Sequence, residues 1–335
     1  MSKANPKPEA GSSTARDQVQ VLMDYMNSHI LGQQELVTRM LITLLADGHL
    51  LVEGAPGLAK TRAVKTLAAG LEGDFKRIQF TPDLLPSDLT GTDVYRPQDG
   101  SFEFQPGPLF HQIIVADEIN RAPAKVQSAL LESMEERQIT VGDRTYPLSD
   151  LFFVMATQNP IEQEGTYPLP EAQLDRFLLK VNIDYPVVSS EVKIMQQVRK
   201  EALGDSLALE VPATLPLSQQ AIFGVRQQIL SLHMAESVEE YIAQLVNATR
   251  NPQAYSSDLE QWIQYGASPR ATLAFDRCAR ALAWLDNRDY VSPEDVQQLA
   301  HEILRHRVLL NYQAEMDGIN TDAVIDELLS QVPVA

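Results

Sequence analysis

One short segment constrains this chain more than any other: an apolar strand that runs into a glycine-containing loop and then into a helix. The run His49-Leu-Leu-Val52 predicts the strand, and residues 60–71, rich in Ala, Leu and Lys, predict the helix. The loop between them, with the first two helical residues, is Gly54, Ala55, Pro56, Gly57, Leu58, Ala59, Lys60 and Thr61. Such a segment directs backbone N–H groups and a helix N-terminus at an anion, which is typical of phosphate binding.

The loop fits the phosphate-loop pattern except at Ala59, where a second glycine is expected. In that pattern Lys60 reaches the outer phosphates of a nucleotide, and the Thr61 hydroxyl is placed to ligate Mg²⁺. The alternative is an ordinary turn between a strand and a helix. A degenerate motif alone leaves that alternative open.

A second apolar run, Ile113-Ile-Val-Ala116, ends in two adjacent carboxylates, Asp117 and Glu118. Asp117 can hold magnesium or its water, and Glu118 can polarise an attacking water. Two acids at a strand tip can also be solvated turn residues. Their position on a further strand after a phosphate loop favours a nucleotide site.

A third apolar run, Leu151 to Ala156, delivers Asn159 just beyond its carboxyl end. Open α/β sheets bind ligands at the carboxyl ends of their strands, so we expect Asn159 beside the terminal phosphate. Without the first two motifs, the pair Asn159-Pro160 would indicate only a common turn.

The order of apolar runs predicts an α/β fold followed by a helical region. After the strand before the loop, the runs of strand character are 77–80, 112–116, 151–156 and 178–183, and such short runs are typical of buried parallel strands covered by helices on both faces. After Pro186 the periodicity becomes helical, with few strand candidates. We expect a flexible N-terminal arm over 1–16, an α/β domain over 17–185 and a helical domain over 186–335.

Two β-hairpins are predicted within the α/β domain. One turns at Asp99-Gly100, and the other turns at Gly142-Asp143. Neither hairpin is needed to close a minimal nucleotide-binding fold.

Charge and composition limit the classes of partner and compartment. The formal net charge of −18 disfavours long-range attraction to DNA or RNA, so nucleic acid is not an expected partner. No apolar run approaches the roughly 20 residues that span a bilayer. The single cysteine, Cys278, cannot form an internal disulfide, and we expect it to be buried inside a helix. These features predict a cytoplasmic protein without membrane insertion.

The segment His301-Glu-Ile-Leu-Arg-His306 is similar to a zinc-binding helix. Its two histidines are five positions apart, which turns them away from a shared helix face. The other histidines, including His111 and His233, show no ligand spacing, so no metal is expected at histidine.

Together these motifs resemble the MoxR family of AAA+ ATPases. The resemblance covers most of residues 30 to 185, and beyond the loop it is carried by Phe80 to Gly91, Ala116 to Pro123, Leu131 to Gln138 and Ala156 to Phe177. Ala59 is no departure within this family, whose loops resemble Gly-x-Pro-Gly-x-Ala-Lys-Thr. The resemblance implies an α/β AAA+ P-loop NTPase core, followed by a smaller all-α lid domain, with ATP and Mg²⁺ bound.

The resemblance also implies roles that spacing could not assign. Asn159 is similar to sensor 1, Arg176 to the arginine finger that reaches a neighbour's ATP, and Arg270 to sensor 2 at the start of a lid helix. Both guanidinium groups suit contact with phosphate. Arg121 is a second candidate for contact across the subunit boundary, and residues 30–33 resemble the segment that packs against adenine. The two hairpins resemble the helix-2 insert and the pre-sensor hairpin, which face the pore of a ring.

The function implied is hydrolysis of ATP to ADP and phosphate by a homo-oligomeric ring, expected to have six subunits, that remodels client proteins. Such work serves maturation, activation or cofactor insertion, and the clients often carry von Willebrand factor A domains. ATP is expected between the α/β domain and the lid, with Arg270 on its γ-phosphate. Three alternatives stay open: the ATPase subunit of a metal-chelatase or Rubisco-activase-like complex, an ATP-gated scaffold with little turnover, and a DNA-remodelling ATPase.

Overall fold

A five-stranded parallel sheet forms the centre of the α/β domain. The computed structural model describes residues 14–98, 100–160, 165–203 and 211–334. The strands of this sheet are β1 (Leu50–Gly54), β2 (Phe75–Gln79), β5 (Ile113–Asp117), β8 (Phe153–Gln158) and β9 (Leu179–Ile183), in the order β2-β5-β8-β1-β9. Each overlaps a predicted run, so the predicted parallel α/β sheet is confirmed.

Helices accompany the sheet along the first part of the chain. They are α1 (Ala15–His29), α2 (Gln34–Leu45), α3 (Lys60–Ala69), α4 (Pro86–Thr90), α5 (Ala124–Glu136) and α6 (Glu171–Leu174). Helix α1 begins after Thr14, which forms a capping box with Asp17 and so satisfies backbone donors of the first turn. Residues 1–13, most of the arm predicted over 1–16, lie outside the described residues.

The chain after the sheet is mainly helical, which confirms the predicted all-α lid. Its helices are α7 (Val188–Ala202), α8 (Gln219–Leu230), α9 (Glu236–Arg250), α10 (Ser257–Trp262), α11 (Pro269–Leu285), α12 (Pro293–Leu304), α13 (Tyr312–Met316) and α14 (Thr321–Gln331). Four very short strands join these helices in two pairs: β10 (His233–Met234) with β12 (Tyr290–Val291), and β11 (Ile263–Tyr265) with β13 (Leu309–Leu310). Cys278 is fully buried in α11, as predicted, and burial raises the pKa of its thiol to about 12.

Both predicted hairpins are present, and aromatic rings join them. They consist of β3 (Gly91–Arg96) with β4 (Ser101–Pro106), and of β6 (Gln138–Val141) with β7 (Arg144–Pro147). Phe104 of the first stacks on Tyr146 of the second, with ring centroids 4.1 Å apart. The two hairpins are therefore in direct contact, although each has its own sheet.

Apolar side chains cover both faces of the central sheet. Ile113 and Val115 of β5 belong to one buried cluster, whereas Ile114 and Ala116 belong to the other, because successive strand residues point to opposite faces. The first cluster continues into α11 and α12, where it includes Ile303. The lid helices thus share a core with one face of the sheet.

Buried polar contacts also tie the lid to the α/β domain. Arg39 of α2 donates from Nε to Glu302 of α12 at 3.0 Å, and both residues are buried. Arg307 donates from Nε to the Asp175 carboxylate at 2.7 Å. Removing one partner of a buried pair leaves an uncompensated charge, so these contacts fix how the lid is seated.

A buried histidine makes the stability of this domain sensitive to acid. His49 accepts a hydrogen bond at Nδ1 from the Val154 N–H and contacts the Met134 carbonyl through Nε2, each at 3.2 Å. Burial lowers the pKa of His49 from 6.5 to about 4. His306 is also buried, and for the same reason its pKa lies well below the ordinary value.

We expect the free energy of unfolding to fall as the pH drops below about 6.5, because the unfolded chain then protonates His49 while the folded protein resists protonation down to about pH 4. The contribution is at most about 1.4 kcal/mol per pH unit for each such histidine. Urea unfolding between about pH 7 and about pH 5 measures it. The loss should be shallower in His49→Gln and unchanged in His233→Gln, whose histidine is exposed. Identical pH profiles for His49→Gln and the parent would contradict this expectation.

Candidate functional site

The loop between β1 and α3 has the backbone of an open cradle. Gly57 has φ +84°, a conformation that L side chains rarely adopt, and a Cβ placed there would meet no atom within 4 Å. Gly54 is needed for another reason, because a Cβ there would collide with Ile183. Ala59 also lies in the left-handed region, with φ 58°, directly before α3 begins. Ala59 therefore has the left-handed backbone that explains why the common pattern places glycine at this position.

Lys60 lies across the loop, between the ends of two adjacent strands. Its Nζ donates to the Gly54 carbonyl at 2.6 Å and to the Gln158 carbonyl at 3.5 Å. Burial is the largest influence on the Lys60 pKa and lowers it, while the carboxylates of Asp117, Glu118 and Glu53 act in the opposite direction. The ammonium group thus faces the carboxylates of the second motif across the loop.

Asp117, at the end of β5, is the meeting point of three donors. The Thr61 hydroxyl donates to Oδ2 at 3.1 Å, and the Arg77 Nε donates to the same oxygen at 2.8 Å. The Thr157 hydroxyl donates to Oδ1 at 2.8 Å. Asp117 is buried, and its carboxylate and the Thr61 hydroxyl are oxygen donors of the kind that Mg²⁺ binds.

Glu118 follows Asp117 with φ 57°, in the left-handed region. Its backbone N–H donates to the Thr157 hydroxyl at 2.9 Å. Its carboxylate accepts from Gln79 Nε2 at 2.7 Å and pairs with Arg121 Nε at 3.1 Å. Glu118 is therefore held by two side chains of its own subunit.

Asn159 directly follows β8 and is buried next to Gln158, the residue whose carbonyl contacts Lys60. Asp117 ends β5, Asn159 follows β8, and Lys60 and Thr61 begin α3, the helix that follows β1. Strands β5, β8 and β1 are neighbours in the sheet, so these predicted residues lie at one edge of it. Three residues that the sequence did not predict as part of the site contact the carboxylates of Asp117 and Glu118. They are Gln79, Arg77 and Thr157.

The segment 30–33 lies beside the phosphate loop. Leu31 and Gln33 line a cavity of about 80 Å³, together with Gly57 of the loop and Ile194 of α7. Gln33 Nε2 donates to the Asp184 carbonyl at 2.9 Å, which fixes the segment against the end of the sheet. The segment that resembles the adenine-binding one therefore adjoins the phosphate loop.

Arg176 and Arg270 form a second cluster, away from the phosphate loop. Arg176 Nε pairs with Glu135 Oε2 at 2.9 Å, and Arg270 pairs with the other oxygen of the same carboxylate. They line a cavity of about 320 Å³ that contains five arginines and three carboxylates and includes no residue of the loop. The structure thus brings the predicted sensor 2 together with the predicted finger.

The histidines of the zinc-like segment have separate partners. His301 Nε2 lies 3.0 Å from the Asp326 carboxylate, and His306 Nε2 lies 3.0 Å from the Phe177 carbonyl. The two rings therefore contact different parts of the chain.

Of the helices that the structure describes, none combines the length and the apolar character that crossing a bilayer requires.

Comparison with known families matches both parts of this fold. Residues 49–179 match the model described as "ATPase family associated with various cellular activities (AAA)". Residues 257–328 match the AAA lid domain. The first match spans the phosphate loop, β5, β8 and Arg176, and the second contains Arg270.

Two relatives and one solved structure are similar to this chain over most of its length. Chaperone MoxR1 of Mycobacterium tuberculosis is 45% identical over 90% of this chain and 78% of its own. Protein MoxR of Paracoccus denitrificans is 31% identical over 92% of this chain and 94% of its own. A crystal structure from Cytophaga hutchinsonii, of a protein assigned as an ATPase, has a TM-score of 0.87 and 46% identity, covering 96% of each chain.

Proposed function

Because the chain belongs to the MoxR family of AAA+ ATPases, we propose that it hydrolyses Mg-ATP within a homo-oligomeric ring and uses the turnover to remodel client proteins. One observation carries the proposal. Lys60, Thr61 and the Asp117-Glu118 pair converge at the carboxyl ends of β1 and β5, with Asn159 at the end of the strand between them. This arrangement supports the proposal because groups suited to binding phosphate, holding a metal and activating water lie at one edge of one sheet.

The phosphates bind in the cradle of residues 54–61, with backbone N–H groups and the N-terminus of α3 directed at them. Lys60 exchanges its contacts with Gly54 and Gln158 for the outer phosphates. Thr61 and Asp117 would hold Mg²⁺, which supplies positive charge beside the transferred phosphoryl group. Arg77 leaves Asp117 Oδ2 when that oxygen takes a new partner.

Glu118 orients and polarises the attacking water. In the structure Gln79 and Arg121 both contact Oε2 of its carboxylate, so the attacking water faces the second oxygen, Oε1. Asn159 lies at the neighbouring strand end, where an amide can contact the terminal phosphate. Gln79 and Arg121 thus hold the orientation of the general base through its other oxygen.

The positive charge that completes the site comes from the next subunit. Arg176 and Arg270 line their own cavity and lie together on Glu135, so we propose that both act on a neighbour's ATP. This replaces the expectation that Arg270 contacts the γ-phosphate in its own subunit beneath a closing lid. Arg121 pairs with Glu118 through Nε within its own subunit, which favours a role there over one across the boundary.

An exposed apolar helix face supports assembly into a ring. Val188, Val192, Met195 and Val198 of α7 are all exposed, and α7 has no buried residue. Exposed apolar surface of this kind is commonly covered by a partner. A second copy would cover α7 beside the nucleotide cavity, and we propose six copies per ring.

The hairpins are the parts that contact clients. Val94, Tyr95 and Phe102 of the first hairpin are exposed, and stacking of Phe104 on Tyr146 passes a movement of one hairpin to the other. One relative is named a chaperone, which supports protein clients. We propose that these include von Willebrand factor A domain proteins, and enzymes that need activation or cofactor insertion.

We expect calorimetry to detect ATP binding that depends on magnesium, and phosphate release per subunit to rise with protein concentration as rings form. Chelation of magnesium should lower phosphate release by at least about a hundredfold, because Thr61 and Asp117 then lack the cation they hold. Magnesium-dependent binding without turnover would instead support the ATP-gated scaffold. No binding at all would overturn the proposed function.

A further inference from the structure

Glu135 is the one residue that contacts both predicted phosphate-directed arginines in the described structure. It lies in the last turn of α5, and its two carboxylate oxygens are divided between Arg176 and Arg270. Its side chain is 33% exposed, and those of the two arginines are 30% and 42% exposed. The cluster is therefore open enough for an incoming anion to reach it.

A second set of contacts in this cavity, centred on Asp175, is more deeply buried than the contacts of Glu135. The Arg307 side chain is only 2% exposed and pairs with Asp175, which directly precedes Arg176. The Ser268 hydroxyl donates to the other oxygen of Asp175 at 2.7 Å, and Ser268 caps the helix that carries Arg270. Asp175 thus places the backbones of both arginines, whatever Glu135 does.

The Glu135 carboxylate resembles, in charge and shape, the phosphate group that the two arginines are proposed to bind. A carboxylate and a phosphate both present two oxygens to a guanidinium group, so one excludes the other. Among the cavity's residues the arginines outnumber the carboxylates, which leaves positive charge to attract an anion. A phosphate that replaces Glu135 therefore keeps a negative charge beside the two arginines.

We propose that Glu135 stands in for the neighbour's phosphates: it occupies Arg176 and Arg270 while no ATP faces them and is displaced when a neighbour presents ATP. This proposal rests on the proposed function, because it assumes that both arginines act across the boundary. Each separate subunit therefore binds a neighbour more weakly than it would if Glu135 did not occupy the two arginines.

The test is Glu135→Gln, which removes the charge with little change of shape. We expect the subunit concentration that gives half-maximal ATP turnover to fall by about 3- to 10-fold, since two partly exposed ion pairs no longer compete with the neighbour's phosphates. Turnover at saturating subunit concentration should change by less than about twofold. Glu136→Gln removes the adjacent exposed carboxylate and should match the parent. A half-activating concentration that is unchanged or raised would overturn the proposal.

Sedimentation with a non-hydrolysable ATP analogue supplies a second measurement that does not require turnover. Glu135→Gln should promote assembly in the parent but not in an Arg176→Ala, Arg270→Ala background, because Glu135 acts through those two side chains. Equal promotion in both backgrounds would show a merely structural effect and overturn the proposal. Full turnover by the Arg176→Ala, Arg270→Ala protein would instead overturn the trans role in the proposed function, so the two failures are distinguishable.

Discussion

Glu118→Gln is expected to lower the rate of ATP hydrolysis by about 10²- to 10⁴-fold while ATP binding persists, because a general base contributes a factor of this size to the chemical step. The groups that bind phosphate and metal are Lys60, Thr61 and Asp117, and the substitution leaves all three in place. Phosphate release under saturating ATP measures the first effect. Calorimetry with the same preparation measures the second.

Glu132→Gln is a suitable control, since it removes an exposed carboxylate on α5 rather than one at the strand ends. It should hydrolyse ATP at the parent's rate. If Glu118→Gln kept more than about a tenth of the parent's turnover, the assignment of Glu118 as the general base would be wrong. If Glu118→Gln lost ATP binding as well, Glu118 would belong to the binding apparatus instead.

The convergence of the strand ends could be predicted from the sequence. Asp117 ends one buried strand, Lys60 and Asn159 follow two others, and the carboxyl ends of parallel strands meet at one edge of a sheet. Gln79 and Arg77 could not be found in this way. Their contacts depend on β2 lying beside β5 in register, with Gln79 opposite Asp117, and the order of strands in a sheet is not written in the periodicity of any one strand.

For the lid, the sequence predicts where a helix begins but not where that helix packs. The pair Ser268-Pro269 marks the start of α11, and the structure has the helix there. Where α11 lies is decided by distant packing, since its buried residues share a core with the α/β sheet, and this places Arg270 beside Arg176. Glu135 lies in the recognised stretch 131–138, but nothing local shows that its carboxylate meets residues from two other parts of the chain.

Arg176→Ala is expected to lower turnover by about 10³- to 10⁵-fold, the range for an arginine finger supplied by a neighbour. Lys60→Ala should be inactive as well, because its own pocket fails. In an equal mixture about one interface in four pairs a sound pocket with a sound finger, so turnover should recover to roughly a quarter of the parent's value. Phosphate release after mixing measures the recovery. Each variant alone at the same total concentration is the control.

The same mixing experiment with Arg270→Ala shows whether Arg270 acts on the ATP of a neighbour or on that of its own subunit. If Arg270 acts across the boundary with Arg176, then Arg270→Ala mixed with Lys60→Ala should also recover, since the Lys60→Ala subunit supplies the missing arginine to an intact pocket. If Arg270 acted on ATP in its own subunit, no mixed interface would contain a complete site, and the mixture would stay as inactive as its components. The position of Arg270 on Glu135, beside Arg176 and in a cavity without loop residues, leads us to expect recovery. Recovery with Arg176→Ala but not with Arg270→Ala would return sensor 2 to its own subunit's ATP and leave only the finger in trans.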